Sequence, residues 1–307
     1  MKKKILIVAL VAFVLLFAAP FTAAIIIYES SFDYRCETSP EDRIDLASYP
    51  DLERSRHTFA SDKGQMLVGY LYRHSAVESP KGIIVFSHGM GRGGQAGYTD
   101  IFSILAERGY YVFAYDATAN DESEGRVMGG LPQGYIDLDH AIDYVLTLDE
   151  LGGLPMLLMG YSWGAMSVAN VLNYHPEVVA VCSVAGWNRS LDLIKYFGER
   201  YGGDSSGLLL PYAALYERLK YGDYASSTAM DGFEGSDARI MVIHGAHDTT
   251  VPPEYGYERY YAEYSDDDRF SFVWYEDRDH AVLYDGELRD AALIHSVADF
   301  FDSALAV

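Results

Sequence analysis

Apolar and polar positions along this chain form short runs whose period changes from one run to the next. Compact, almost wholly apolar runs predict buried strands. Longer runs with apolar residues every three or four positions, such as 135–148, predict amphipathic helices. The two kinds of run alternate from about residue 55 to the end of the chain. This alternation predicts an α/β fold, with a mostly parallel sheet and helices on both faces.

The individual elements follow from the same pattern. A β-hairpin is predicted around the turn Asp62-Lys63-Gly64, with its strands at 57–60 and 66–73. Further strands are predicted at 82–87, 111–115, 154–159, 178–185, 239–244 and 270–275. Helices are predicted at 98–109, 135–148, 165–175, 255–264 and 291–305.

Residues 187–237 break the alternation between two strands. This insertion is rich in Tyr, Leu and Gly and has helical stretches at 191–201 and 211–221. Insertions of this length inside a domain usually serve a function. We expect it to cap a pocket; an insertion that packs to one side is the alternative.

The N-terminus carries three lysines followed by an uncharged apolar run from 5 to 27, interrupted by Pro20. The run is long enough to cross a bilayer, whereas a cleaved signal peptide has a shorter apolar core and a clearer cleavage site. We therefore expect a signal anchor over 1–28, a tether over 29–54 and the domain over 55–307. The positive-inside rule places the domain outside the cytoplasm, or secreted if the N-terminal segment is cleaved.

Net charge and cysteine content limit the kinds of binding partner and covalent link that we expect. The formal net charge is −22 over 307 residues, which argues against nucleic acid, because phosphate binding needs a basic face. The two cysteines, Cys36 and Cys182, could pair in an oxidising compartment. Cys182 lies in an apolar run, so we expect it to be a small buried hydrophobic residue.

The segment 160–164 reads Gly-Tyr-Ser-Trp-Gly, between the predicted strand 154–159 and the predicted helix 165–175. In that context G-x-S-x-G is typical of a nucleophile elbow, a strained strand-to-helix turn that exposes its serine. The glycines let neighbouring backbone pass where a side chain would clash. A serine hydroxyl becomes a good nucleophile only when its position is fixed and a base removes its proton. Ser162 is therefore the candidate nucleophile.

A second glycine motif lies at 89–94, Gly-Met-Gly-Arg-Gly-Gly, and Asp116 closes the next strand. This arrangement also fits a dinucleotide-binding fingerprint. However, the next helix is predicted to begin several residues after Gly94, too far away to hold a pyrophosphate at its N-terminus. His88 also directly precedes the first glycine. We therefore favour another use for this loop.

That use is an oxyanion hole. Acyl transfer passes through a tetrahedral oxyanion, which needs two N–H donors fixed in advance. In nucleophile-elbow enzymes one donor follows the nucleophile and the other follows an earlier strand. The corresponding backbone N–H groups belong to Trp163 and Met90, which leaves His88 as a structural loop residue.

A nucleophilic serine also needs a histidine base and an acid that orients the histidine, in the chain order Ser, acid, His. Asp248 follows the predicted strand 239–244, and His280 lies in the loop before the last helix. Open α/β sheets place their sites at these strand ends. A metal pair of His244 and His247 is not expected, since their spacing at a strand end does not put both rings on one face.

Over roughly 55–305 the chain resembles the α/β-hydrolase superfamily and, within it, the serine aminopeptidase and monoacylglycerol lipase-like group. The resemblance implies an eight-stranded sheet, a helical lid after the sixth strand, and no cofactor. The loop 116–125 is also similar to that group's loop after the fourth strand, except that Ala119 replaces the usual glycine. The other matching segments are 87–91, 160–164, 244–248 with 251–252, and 279–280.

The sequence therefore predicts a membrane-anchored serine hydrolase that cleaves a carboxylic ester or related acyl bond. Ser162 would be the nucleophile, His280 the base and Asp248 the orienting acid, with no metal or cofactor. A serine peptidase on the same triad and a catalytically silent surface binding protein are the alternatives. The motifs determine the mechanism better than the substrate, which is a small acyl compound or a short peptide.

Overall fold

Eight strands form the central sheet, in the spatial order first, second, fourth, third, fifth, sixth, seventh and eighth. The first two strands and the second and fourth pair antiparallel, and the remaining neighbours pair parallel. The computed structural model describes residues 2–306. The predicted eight-stranded, mostly parallel sheet is confirmed. The strands are β1 (Leu52–Ala60), β2 (Met66–His74), β3 (Ile83–Ser87), β4 (Tyr111–Asp116), β5 (Met156–Tyr161), β6 (Ala180–Val184), β7 (Arg239–Gly245) and β8 (Phe270–Tyr275).

Helices cover both faces of the sheet, and two hydrophobic clusters fill the space beneath them. One cluster includes Ile101 and Phe301 from two helices on one face, and the other includes Tyr135 and Trp163 on the opposite face. The helices are α1 (Lys2–Phe13), α2 (Ala19–Phe32), α3 (Thr99–Glu107), α4 (Gln133–Leu146), α5 (Trp163–Asn170), α6 (Ser190–Gly202), α7 (Leu210–Tyr221), α8 (Ala229–Glu234), α9 (Tyr257–Tyr264) and α10 (Ala291–Leu305).

The sequences of the inner strands are continuous apolar runs because helices cover both faces of the sheet. Every residue of β3 and β6 is buried. Cys182 lies in β6 and is fully buried, as expected, and its thiol is free. Cys36 is free as well.

Several short or edge elements differ from the sequence prediction, either in where they begin or because they were not predicted. β1 begins at Leu52, five residues before the predicted start, because it pairs with β2 as far as His74. Most of the residues of this edge strand are exposed, so its polar sequence resembled a tether. The helix α8 and a small hairpin of β9 (Tyr284–Asp285) and β10 (Leu288–Arg289) are too short to give a clear pattern.

The N-terminal apolar run forms one helical stretch, Lys2–Phe32, that is long and apolar enough to be a membrane anchor or a signal sequence. Pro20 does not interrupt it. A π-helical turn at Val14–Ala18 precedes the proline, and the Ala19 N–H reaches the Val14 carbonyl. A local π turn accommodates the backbone hydrogen bond that proline disturbs.

Residues of the segment 29–54, for which the sequence predicted a tether, contact the domain at several points. Cys36 forms a β-bridge with Asn120. Further on, the Ile44 N–H donates to the Ala96 carbonyl at 3.0 Å. The segment thereby brings Thr38 next to the glycine loop that follows β3.

The insertion 187–237 contains α6, α7 and α8. Two side chains of α6 reach the loop after β7: the Tyr196 hydroxyl and the Arg200 guanidinium donate to the Thr249 carbonyl at 2.7 and 2.8 Å. Asp192 of α6 accepts from Arg259 of α9 at 2.9 Å. These bonds attach the predicted cap beside the residue predicted to be the acid.

Candidate active site

Ser162 occupies the sharp turn between β5 and α5. Its backbone has φ 55° and ψ −115°, a region that residues with a side chain rarely adopt. A Cβ on Gly160 would collide with the Gly164 carbonyl, and one on Gly164 would collide with the Ser87 carbonyl. The turn can therefore form only with glycine on both sides of the serine. The Ser162 N–H donates to the Val184 carbonyl at 2.8 Å, which ties the strained residue to β6.

The structure brings the three predicted catalytic side chains together at the carboxyl edge of the sheet. His280 Nε2 lies 2.8 Å from Ser162 Oγ. His280 Nδ1 lies 2.7 Å from Asp248 Oδ2. Serine, histidine and aspartate thus form one continuous hydrogen-bonded chain. This geometry allows proton transfer from the serine hydroxyl to the imidazole.

Asp248 is held as a carboxylate by the groups around it. Burial acts to raise its pKa, but hydrogen bonds from His244 and His280 outweigh burial and hold the pKa at about 2. The N–H groups of Thr250 and Val251 donate to Oδ1 at 2.9 and 2.8 Å. One oxygen is therefore bound to the backbone and the other faces His280. Near neutral pH the group stays charged and can orient an imidazole.

His244 is a site residue that sequence reasoning missed. It lies fully buried in β7, and its Nε2 contacts the Val251 carbonyl at 2.9 Å and Asp248 Oδ2 at 3.3 Å. The ring therefore holds the carboxylate and its loop in place. From the sequence, His244 was considered only as one of a metal pair with His247, which their spacing of three residues argues against.

Tyr161 was missed as well, because it fills the variable position of the G-x-S-x-G motif. Its hydroxyl donates to the His280 carbonyl at 2.8 Å, and its ring lies 5.4 Å from the imidazole. The residue before the nucleophile thus anchors the backbone of the base. No sequence signal distinguishes this tyrosine from the many others in the chain.

The two predicted oxyanion donors belong to Trp163, which directly follows the serine, and to Met90, in the loop after β3. Trp163 is the first residue of α5, where backbone N–H groups have no intrahelical acceptor. Met90 follows β3, and the neighbouring Gly89 packs against Tyr161. Within residues 2–306, neither the Met90 nor the Trp163 N–H donates to another protein group. Both groups are therefore free to bind a developing negative charge.

His88 is a structural residue, as the sequence suggested. It is buried, and burial lowers its pKa. Its Nε2 accepts from the Ala117 N–H at 3.0 Å, and its Nδ1 donates to the Gly89 carbonyl at 2.8 Å. Both nitrogens are occupied, so the ring joins the loop after β3 to the end of β4.

The glycine loop 89–94 is already occupied by the chain itself. A Cβ on Gly93 would overlap Thr38, whose hydroxyl accepts from the Gly94 N–H at 3.1 Å. Asp116 is fully buried and accepts from the Gln95 N–H at 2.9 Å. The Gly94 N–H and the Asp116 carboxylate belong to the motif that resembled a nucleotide-binding fingerprint. Both are hydrogen-bonded to other groups of the protein. Ala119 fills the position of the family's usual glycine in a left-handed conformation, with φ 61°.

A cavity of about 720 Å³ extends from Met90 outwards, beneath the cap. Its size falls in the range of small-molecule sites. Ser162, His280 and Asp248 do not line it; Met90, which carries a predicted oxyanion donor, is the link between the cavity and the site. The lining residues are mainly apolar, and Lys195 is the one charged side chain among those described. The cavity is suited to an apolar group.

Comparison with known proteins agrees with this description. Residues 78–194 match the model of the family described as serine aminopeptidase, S33. A putative non-heme haloperoxidase of Mycobacterium phage D29 is 34% identical over 97 residues, which cover 32% of this chain and 33% of that protein. The aligned region therefore spans about a third of the length of this curated relative.

Solved structures extend the likeness to most of the chain. The esterase Pf2001 of Pyrococcus furiosus has a TM-score of 0.64 at 16% identity and covers 88% of this chain and 98% of its own. The acylaminoacyl peptidase of Pyrococcus horikoshii has a TM-score of 0.63 at 17% identity and covers 84% of this chain and 42% of its own. At these identities the likeness establishes the fold. The chain thus has the α/β-hydrolase fold, and its residues 78–194 are similar to the serine aminopeptidase family.

Proposed function

We propose that this protein is a serine hydrolase that cleaves a carboxylic ester or related acyl bond through an acyl-enzyme. The observation that carries the proposal is the hydrogen-bonded chain Ser162–His280–Asp248, with distances of 2.8 and 2.7 Å. A strained turn positions the serine, which favours catalysis over a silent binding role. Strain of this kind persists where the surrounding structure enforces it, commonly at catalytic sites.

The proposed reaction has two halves. Ser162 Oγ attacks the acyl carbon while His280 Nε2 takes its proton, and the oxyanion binds the Met90 and Trp163 N–H groups. The imidazolium then protonates the leaving oxygen, and the acyl group stays on the serine. Water, deprotonated by His280, attacks the acyl-enzyme and releases the acid. Asp248 stabilises the imidazolium in both halves.

The cavity favours an ester with an apolar acyl group over an aminopeptidase substrate. A free α-ammonium group needs a carboxylate partner when it leaves water. The described residues that line the cavity include no Asp or Glu, and their one charged side chain is the cationic Lys195. The peptidase alternative rests on the family match over residues 78–194.

Substrate panels and intact-protein mass spectrometry test the proposal together. Full-length protein is expected to hydrolyse p-nitrophenyl esters and to carry one acyl group on Ser162 when the reaction is quenched early. Aminoacyl p-nitroanilides are expected to react at least about tenfold more slowly, since binding an unpaired charge costs more than 1.4 kcal/mol. Faster turnover of the anilides would favour the peptidase, and hydrolysis without an acyl-enzyme would contradict the mechanism.

We also propose that the helix Lys2–Phe32 anchors the protein in the membrane, with the domain outside the cytoplasm. Its length and composition and the three N-terminal lysines support this orientation. Protease added to spheroplasts that express a C-terminally tagged full chain should remove the tag while a cytoplasmic marker survives. A protected tag would contradict the orientation, and a mature mass lacking the first 24 residues or so would contradict the anchor.

A further inference from the structure

The membrane-distal part of the N-terminal helix is built into the cap. Three residues on one face of α2, spaced four apart, are buried: Ala24, Tyr28 and Phe32. Side chains with this spacing lie one above another along a helix. The face packs against α7, where the rings of Tyr28 and Tyr216 meet edge to face at 5.4 Å. This contact is unusual for a plain anchor, which needs only to span the membrane.

A buried carboxyl joins the anchor to two cap helices. Glu217 of α7 is fully buried, and its Oε1 accepts from the Tyr28 hydroxyl at 2.7 Å and from the Ser190 hydroxyl at 2.6 Å. Burial raises the pKa of Glu217 to about 7, so this buried carboxyl carries little uncompensated charge in mildly acidic to neutral solution. Removing α2 would expose this group and leave two cap helices without a common partner.

A second set of polar contacts flanks the buried carboxyl. Glu29 pairs with Lys220 and accepts from the Tyr216 hydroxyl. The Lys220 ammonium and the Tyr221 hydroxyl donate to the Gly129 carbonyl at 2.8 and 2.6 Å. The end of α2, the helix α7 and the loop before α4 are therefore bonded together.

The same helix supplies one side of the cavity. Five α2 residues line it, two of which are largely exposed, and α6 and the Met90 loop line it from other sides. Ile27 is one of these wall residues and is 56% exposed, whereas the adjacent Ile26 is 60% exposed but does not line the cavity. The five α2 residues are Ala24, Ile27, Tyr28, Ser31 and Phe32.

We propose that the five cavity-lining residues of α2 form a wall of the substrate site, so that the N-terminal helix binds the apolar chain of the substrate as well as anchoring the protein. This inference rests on the proposed acyl hydrolase function, for which the cavity would hold a long acyl chain. A protein that lost the helix would lose this wall. The proposal therefore requires that the mature enzyme retains the helix.

The position of the wall also identifies where the substrate resides. The last residues of the apolar run 5–27 line the cavity, and Tyr212 of α7 donates to the Leu16 carbonyl and packs on the Phe17 ring at 6.0 Å. The cap thus lies alongside the membrane segment. The cap also carries exposed apolar side chains: Tyr201, Leu208, Leu215 and Leu219. We therefore assign the substrate to membrane-resident amphiphiles with a long acyl chain.

A matched pair of substitutions tests the wall in the full chain, reconstituted in phospholipid nanodiscs. Ile27→Trp fills the cavity from the helix side, whereas Ile26→Trp adds the same ring about 100° away on the helix. Ile27→Trp should lower kcat/KM for p-nitrophenyl dodecanoate by about tenfold or more, which corresponds to about 1.4 kcal/mol or more, because the indole occupies space that the acyl chain would fill. Hydrolysis of the acetate ester should change little, and Ile26→Trp should leave both esters unchanged. Equal effects of the two variants on the dodecanoate ester would overturn the proposal.

A second measurement tests whether α2 forms a wall of the cavity even if the protein hydrolyses no ester. A diazirine-bearing long-chain fatty acid is photo-crosslinked to the Ser162→Ala protein, and the adducts are mapped to the α6 residues Leu193 and Ile194 inside the cavity. The α6 adduct should persist after Ile26→Trp and disappear after Ile27→Trp. That pattern without hydrolysis in the wild type would reject the proposed function and keep the wall. Equal adduct yields in the two variants would reject the wall.

Discussion

Replacing Ser162 by alanine is expected to lower kcat/KM for the best ester substrate by at least about 10³-fold. The hydroxyl is the atom that attacks, and its Oγ lies 2.8 Å from the base. No neighbouring group occupies the same position at the elbow. Any remaining turnover would come from water held by the oxyanion donors and the base. Stopped-flow hydrolysis of p-nitrophenyl esters by purified full-length protein provides the measurement.

Ser167 provides the matched control for this substitution. It lies on the same helix α5, is fully buried, and donates to the Trp163 carbonyl at 2.8 Å. Ser167→Ala should reduce activity only a few-fold, while both variants keep melting temperatures near that of the wild type. Wild-type ester hydrolysis in the Ser162→Ala protein would remove Ser162 from the mechanism.

Replacing Asp248 by asparagine is expected to lower kcat by about 10⁴-fold while the fold stays intact. The carboxylate accepts from His280 Nδ1, which leaves Nε2 free to take the serine proton. An amide that presents N–H to the ring would favour the opposite tautomer, with the proton on Nε2. The imidazole could then no longer act as a base. Steady-state kinetics on the same esters measure the loss.

Asp279 offers a control carboxylate next to the base in the sequence. Its Oδ1 accepts from the Ala281 N–H at 2.9 Å and does not contact the imidazole. Asp279→Asn should therefore leave kcat close to the wild-type value. Because the pKa of Asp248 is held at about 2, this carboxylate stays charged throughout the range from pH 5 to 9 or so. Equal losses in the two variants would mean that Asp248 has no special role in orienting the base.

Much of the site was readable in the sequence because its geometry depends on local backbone rules. A serine between two glycines, after an apolar strand and before a helix, can adopt few conformations other than the elbow. The parallel sheet then brings Asp248 and His280 to the same edge, since both follow strands that end there. These constraints act within a few residues of each side chain. They are visible as spacing and order.

The contacts that sequence reasoning missed join residues that are distant along the chain. Tyr161 reaches the backbone of His280, and Thr38 fills the glycine loop after β3. The pattern around Thr38 is polar and irregular, which in a sequence is indistinguishable from a free tether. The pairing of Tyr28 with Glu217, 189 residues apart, leaves no periodic signal either. In the sequence, the N-terminal helix therefore looked like an anchor alone.

The proposed function depends above all on whether Ser162 is activated in the folded protein. Reaction of the full chain with a fluorophosphonate, followed by peptide mass spectrometry, measures this directly, because the reagent modifies serines that an adjacent base has made nucleophilic. We predict a single adduct on Ser162 in the native protein and no adduct after denaturation. A folded protein that stays unmodified, or that carries its adduct on another residue, would contradict the account.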